Sequence, residues 1–235
     1  MERRATMEKQ SPLHPEDGVF CLNPNHKGTR AEPEDCVIGL EAEQTKVKDF
    51  WRWAFSDFCD DALKGDYAEW LVSILLGVRT ERRRYWANTD LVSQPGVRIE
   101  VKSSSYWQSW KLWEETGKPK CVKVAGDKER RRIRFAGLKV GDAVGNVGYK
   151  SDLYVFAFQA QRDPSLWNAF DLSQWEFYML TKQELEEIGA KSLSLDMVSS
   201  RSKKPMAATE FSIEGRKKLR EIELNKQQMP QPDTT

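Results

Sequence analysis

Arg98-Ile99-Glu100-Val101-Lys102-Ser103, preceded by Thr89-Asp90 and the turn-forming Ser93-Gln94-Pro95-Gly96, is the stretch on which the reading of this chain depends. Successive side chains of a strand point to opposite faces, so Ile99 and Val101 share one face and Glu100 and Lys102 the other. Pro and Gly sit where a tight turn wants them, which predicts a hairpin between Tyr85–Val92 and Val97–Ser103. Asp90 then lies across the hairpin from Glu100. A two-residue Pro95-Gly96 loop would pair Asp90 with Val101 and send it to the wrong face. A three-residue loop, or a bulge with Gly96 left-handed, pairs it directly with Glu100. The hairpin is therefore expected to turn through an odd number of residues.

Two carboxylates on one face can hold a divalent cation through oxygen, which suits Mg²⁺ or Mn²⁺. Such a cation lowers the pKa of a bound water and neutralises charge on a phosphoryl oxygen. Lys102 would stand next to that water and orient or deprotonate it. The bland alternative is an exposed strand carrying an ion pair, and Glu-x-Lys alone would favour that reading. Asp90 at the matching position shifts the balance toward Asp90, Glu100 and Lys102 as a hydrolytic centre.

Outward from the hairpin, elements of both kinds are legible. Apolar residues at three-to-four spacing predict an amphipathic helix from Thr45 to about Asp60, broken by Gly65. A second helix is expected from about Asp66 to Leu76, with Ala68, Leu71, Val72 and Leu75 on its core face and Gly77 as its stop. Ser105–Glu115 reads as a further helix, while residues 120–148 are rich in charge and glycine and assign no clear element. Asp152–Gln159 and Glu176–Leu180 are strand-like in length and content. Thr181-Lys182-Gln183-Glu184 is a capping box for a helix through about Ile188, and another helix spans roughly Ile213–Leu224. Strands mixed with helices in this order predict an α/β fold, a central mixed β-sheet flanked by helices.

Over 235 residues the chain has room for one substantial domain with extensions. Residues 1–44, with Pro12, Pro15, Pro24 and Pro33, read as a poorly ordered arm, 45–225 as the domain, and 226–235 as a flexible tail. The composition holds 9 Trp, 6 Tyr and 10 Phe, enough for a real core, and 31% charged residues, which suits a soluble protein. No run approaches the roughly 20 apolar residues of a membrane span, and no apolar segment follows the charged start Met1-Glu2-Arg3-Arg4. A cytoplasmic protein without membrane partners is expected. The four cysteines are scattered without a Cys-x-x-Cys pair, as reduced thiols would be. Cys21, His26 and Cys36, with His14 nearby, could make a zinc site, but their spacing fits no standard finger, and a loop with stray thiols is the favoured reading.

The Asp90, Glu100-Val101-Lys102 constellation resembles the hallmark of the PD-(D/E)XK nuclease superfamily. The resemblance covers residues 65–110 most specifically and implies a restriction-endonuclease-like core. It implies further that Glu69, in Gly65-Asp66-Tyr67-Ala68-Glu69-Trp70, is a supporting acid on the preceding helix. Gln108, shortly after the lysine, is implied as a phosphate-contacting or supporting group, and the Val101 backbone carbonyl as a metal ligand. Thr89 stands where many members have proline. By itself Glu69 would read as an ordinary solvated glutamate on the helix flank.

The net charge of +1 does not announce a nucleic-acid partner, but the basic residues cluster. Arg82, Arg83 and Arg84, next to Arg79, precede the hairpin. Arg130, Arg132 and Arg134 would make a basic stripe if they lay on a strand. Such clusters supply salt-dependent affinity for DNA phosphates, or are simply solvated edges. Trp107, Trp110 and Trp113 could stack on bases, but a stripe at helical spacing is more often core, and core packing is expected. Together these features point to a Mg²⁺-dependent DNA endonuclease, of a restriction or phage-defence kind on the resemblance. A junction-resolvase or repair nuclease would use the same site, and RNA rather than DNA as the substrate is the less favoured reading. From a different class, a non-cleaving DNA-binding or protein-interaction module could keep the fold. Cutting both strands generally implies two active sites, which makes a homodimer a candidate assembly.

Overall fold

The alternation over the Glu100 strand becomes the second strand of a four-stranded sheet in the computed structural model of the chain, which describes residues 33–35, 46–78, 88–94, 96–141, 145–202 and 204–228. These residues fall into two compact units, one ending at Ser56 and one beginning at Asp57. The first contains helix α1 (Val47–Ala54), shorter than its apolar pattern. At the start of this helix, Lys46 just before it and Lys48 in its first turn both donate to Glu34. The two ammonium groups hold that carboxyl down to about 2.

The second unit runs α2 (Asp61–Leu76), β1 (Leu91–Val92), β2 (Arg98–Ser105), α3 (Ser109–Leu112), α4 (Asp127–Arg130), β3 (Arg134–Phe135), β4 (Val140–Gly141), β5 (Val147–Gly148), β6 (Leu153–Gln159), β7 (Trp175–Thr181), α5 (Lys182–Ile188), β8 (Leu193–Ser194), α6 (Leu195–Arg201) and α7 (Ala208–Gln228). The main sheet has the order β1-β2-β6-β7. β2 is antiparallel to β1 and parallel to β6, and β6 is antiparallel to β7, so the sheet is mixed. β3 pairs with β8 and β4 with β5 in two small accessory ladders.

Each face of the main sheet is covered. On one, Ile99, Val101, Leu153, Val155, Ala157 and Phe177 pack against Ala68, Leu71, Val72 and Leu76 of α2 and Phe211 and Leu219 of α7. On the other, Tyr154, Phe156, Phe158, Tyr178 and Leu180 meet Phe135, Leu185, Leu193, Leu195 and Val198. β6 is buried along its whole length, as a central strand covered on both faces must be. The fold is thus mixed α/β with a mixed central sheet flanked by helices, as the order of elements predicts. Among the described residues no helix is long and apolar enough to cross a membrane.

Several boundaries differ from the sequence reading. Gly65 does not break a helix: α2 begins earlier, with the Asp60 side chain accepting from the Ala62 and Leu63 amides. The glycine lies where the helix passes over β2, and a β-carbon there would stand 4.0 Å from Ser103 Oγ. Gly77 does end the helix, in the left-handed conformation. Ser105–Glu115 is not one helix, because β2 continues through Ser105 and only the short α3 follows. That breaks the expected tryptophan stripe: Trp107 is buried, but Trp110 and Trp113 are exposed. α5 is capped by Thr181 and Glu184 as expected. α7 is longer at both ends than its apolar pattern, reaching Gln228 in the expected tail. In α7, Gly215 lets the helix approach α2, since a β-carbon there would stand 2.4 Å from Leu76 Cδ2.

Candidate active site

The hairpin register decides whether the acidic residues can meet. Leu91 pairs with Ile99 and Val92 with Arg98, and the Ser93 amide donates to the Val97 carbonyl at 2.9 Å. The loop therefore comprises residues 94–96, an odd number, with Gly96 at φ 105°. Carried one residue on, this register sets Asp90 opposite Glu100, the alignment that the odd-length turn was expected to give. β1 has ended by Asp90, and the carboxylate takes over from the backbone there: Asp90 Oδ2 accepts the Val101 amide at 2.7 Å. Because a strand residue directs its amide and carbonyl to the same edge, the Val101 carbonyl also points toward the edge that Asp90 occupies.

Glu100 is nearly buried, and each of its oxygens has a neighbour. Lys102 Nζ lies 2.8 Å from Oε1, and Ser151 Oγ donates to Oε2 at 3.4 Å. Ser151, fully buried just before β6, is also 2.9 Å from Thr89 Oγ1, and Thr89 donates to the Ile99 carbonyl at 2.8 Å. The hydroxyl of Thr89 thus ties the segment carrying Asp90 to β2 and lies against the Ser151 hydroxyl beside the Glu100 carboxylate. Lys102 is held over the loop after β3, where a β-carbon on Gly137 would stand 3.7 Å from Nζ. Gly137 itself has φ 69°, a conformation that favours glycine.

The remaining candidates are placed less simply. Glu69 is buried rather than solvated, in line with Val72 and Ser73 of its helix. Its helix covers the Ile99/Val101 face, whereas Glu100 and Lys102 alternate onto the opposite face. Gln108 immediately precedes α3, and its side-chain oxygen is buried. Arg130, Arg132 and Arg134 do not form a strand stripe: Arg130 ends α4, Arg132 lies in a turn, and only Arg134 is in β3. Arg130 turns inward, with its guanidinium 3.6 Å from Asp196. Burial opposes its charge, yet hydrogen bonds to Tyr106 and Tyr178 and the nearby Glu176 carboxylate raise its pKa overall. Arg82, Arg83 and Arg84, and the Cys21, His26, Cys36 and His14 group, lie outside the described residues. Cys59 is buried, and burial pushes its thiol up to about 11.

Reading the sequence left out Ser151 and Gly137. A serine before an apolar strand carries no signal of its own, because its partner Glu100 is distant in the chain. Thr89 was visible only as a departure from the family pattern. Among the described residues no three His, Cys, Asp or Glu side chains come together as a metal cluster. Mg²⁺ does not require one, since it keeps several waters and is commonly bound through one or two carboxylates. Asp90, Glu100 and the Val101 carbonyl, all oxygen donors, are chemically suited to it. Comparison with known protein families, with curated proteins and with solved structures finds no match.

Proposed function

We propose that this chain is a Mg²⁺- or Mn²⁺-dependent DNA endonuclease with a restriction-endonuclease-like core. The observation that carries the reading is the odd hairpin loop, which sets Asp90 opposite a strand bearing Glu100 and, 2.8 Å from it, Lys102. The mixed sheet, with an antiparallel hairpin leading into a parallel partner and helices on both faces, supports the fold half of the proposal.

Asp90, Glu100 and the Val101 carbonyl would hold the cation. When bound, it supplies positive charge to a phosphoryl oxygen and acidifies a water. The chain's own work is positional. Asp90 is fixed by the Val101 amide, and Glu100 by Ser151 and Lys102. Lys102 holds its ammonium at the carboxylate, where it can orient a water for attack on phosphorus and balance charge on the phosphate. Glu69 and Gln108 are assigned supporting roles on the family resemblance. Arg132, Arg134 and the Arg82–Arg84 cluster are assigned to DNA phosphates. Arg130, engaged with Tyr106, Tyr178 and Asp196, is better suited to hold α4 in place.

The competing reading is a DNA-binding or protein-interaction module that does not cut. It is favoured by the fact that both Glu100 oxygens and one Asp90 oxygen already have partners within the chain. Incubation of supercoiled plasmid with the protein and Mg²⁺ separates the two. Nicked or linear product that disappears in Lys102→Ala and Asp90→Ala supports the nuclease. Cleavage that survives both substitutions refutes the mechanism, and no cleavage of any nucleic acid by wild type leaves the module.

A further inference from the structure

The hairpin that brings Asp90 to Glu100 is held at both ends, and at its turn the hold comes from the far end of the chain. β1 is two residues long, and of the two only Leu91 is buried. So short a ladder specifies its register weakly, and a slip of one residue would put Asp90 opposite a side chain of the other sheet face. At the open end, Thr89 and Asp90 hydrogen-bond to β2. At the turn, Ser93 and Gly96 close the loop, the Gly96 amide donating to the Ser93 carbonyl and the Val97 amide to Ser93 Oγ. Both turn residues are met by α7. Ser93 Oγ donates to Glu223 Oε1 at 3.0 Å, and Lys226 Nζ donates to the Gly96 carbonyl, 130 residues away in the chain, at 3.2 Å.

Lys226 has a second partner, and that partner leads to the other carboxylate of the site. Its Nζ donates to Asp152 Oδ2 at 2.6 Å. The same oxygen accepts the Arg98 amide at 2.7 Å, and the Asp152 amide donates to the Arg98 carbonyl at 2.8 Å. Asp152 directly follows Ser151, whose hydroxyl donates to Glu100. The Asp152 side chain is only 13% exposed, so water screens this ion pair less than a pair on an open surface. One ammonium therefore joins the turn that sets Asp90 to the residue beside Ser151. Expected from the sequence to begin a flexible tail, Lys226 instead lies in the last turn of α7.

We infer that Lys226 is a positioning residue for the metal site. By joining Gly96 to Asp152 it keeps Asp90 and Glu100 in line, and Glu223 supports it at Ser93. Neither side chain is among the proposed ligands, so both act through the turn and through Ser151. α7 is docked on the sheet through Phe211 and Leu219, earlier in the helix, so loss of Lys226 frees the turn without undocking the helix. What the site does rests on the nuclease reading, whereas the hold on the hairpin can be measured apart from cleavage.

The full chain in EDTA is followed by NMR amide hydrogen exchange, comparing the Val101 amide, which Asp90 accepts, with the Val155 amide of the central strand β6. Lys226→Met should speed exchange at Val101 at least about tenfold and leave Val155 within about twofold, because the hairpin opens locally while the sheet core does not. Lys226→Arg should restore wild-type exchange. Lys218→Met, which removes a cation paired with Glu221 on the same helix, should change neither amide. Glu223→Ala should act in the same direction as Lys226→Met and keeps the test valid should that variant fail to fold. With plasmid, Lys226→Met should raise the Mg²⁺ concentration for half-maximal cleavage by about tenfold, on the scale of removing a supporting contact from a metal ligand, with KM for DNA unchanged. Unchanged exchange at Val101, or equal rises at Val101 and Val155, overturns the positioning role whatever cleavage shows. Local opening with wild-type Mg²⁺ dependence overturns the link to the metal. Local opening in a protein that cuts no nucleic acid refutes the nuclease reading and leaves Lys226 as the holder of the hairpin.

Discussion

Replacing Asp90 by asparagine separates what its charge does from what its shape does. In the structure, Asp90 Oδ2 accepts the Val101 amide at 2.7 Å, ending the β1–β2 ladder with a charge-assisted hydrogen bond. Such a bond contributes about 1.5–3 kcal/mol. Asp90→Ala removes the acceptor of this part-buried bond, so a loss of about 1–2 kcal/mol is expected. For a unit of this size that lowers Tm by about 2–8 °C. Asp90→Asn retains an amide oxygen in the same place and gives up only the charge assistance, so its loss should stay below about 1 kcal/mol. Cleavage should respond differently, because a neutral amide is a poor ligand for a hard cation. Both variants should lose at least about 100-fold in rate, on the scale of removing one electrostatic element from a catalytic site. Thermal melts and plasmid nicking at several Mg²⁺ concentrations measure the two effects. Asp90→Asn that melts like wild type and cuts within about threefold of it would show that Asp90 serves only as a backbone acceptor, and the metal assignment would be refuted.

Three further outcomes are expected. Thr89→Val should cost about 1–3 kcal/mol, because it deprives the Ile99 carbonyl and Ser151 of a buried partner. It should also weaken Mg²⁺ dependence by about 10–100-fold through slackened Glu100, with Thr89→Ser restoring both; unchanged Mg²⁺ titration would remove Thr89 from the site. Burial alone would raise the Asp152 carboxyl, but the Lys226 ammonium, 2.6 Å away, and the Arg98 amide outweigh it and hold the pKa below its ordinary value. The folded pKa is thus depressed: the stabilisation is present above the unfolded value of about 3.9 and is lost as pH falls through the folded pKa. Acid titration of wild type against Asp152→Asn should show the difference shrinking toward low pH, and a difference constant with pH would contradict it. Phe177→Ala should cost about 3–5 kcal/mol in denaturant unfolding, since the ring is fully buried and stacks on Phe211 at 4.7 Å; a loss under 1 kcal/mol would mean that this core is loosely packed.

Local pattern was enough for the elements whose signals are short in range. Alternation gave Glu100 and Lys102 one face, Pro95-Gly96 marked the turn, and Thr181 with Glu184 announced α5. Parity alone required an odd loop if Asp90 was to face Glu100, and the structure has one. Where neighbours distant in the chain decide, the sequence was silent or misleading. Gly65 is a helix breaker by propensity, yet here it is held in α2 where the helix passes over Ser103. The arginines at 130, 132 and 134 have strand spacing, but α4 and a turn absorb the first two, and Arg130 is drawn to Tyr178 and Asp196.

By itself, then, the sequence determined the mixture of helices and strands and the single strand that carries Glu100 and Lys102, because side-chain parity is a property of consecutive residues. The tertiary structure alone decided that β2 runs parallel to β6 and brings Ser151 to Glu100. It alone decided that Glu69 is buried on the helix covering the other face. It also carried Lys226 to the hairpin turn and to Asp152. Each of these joins residues separated by a crossover or a turn, and such contacts depend on which apolar faces bury one another.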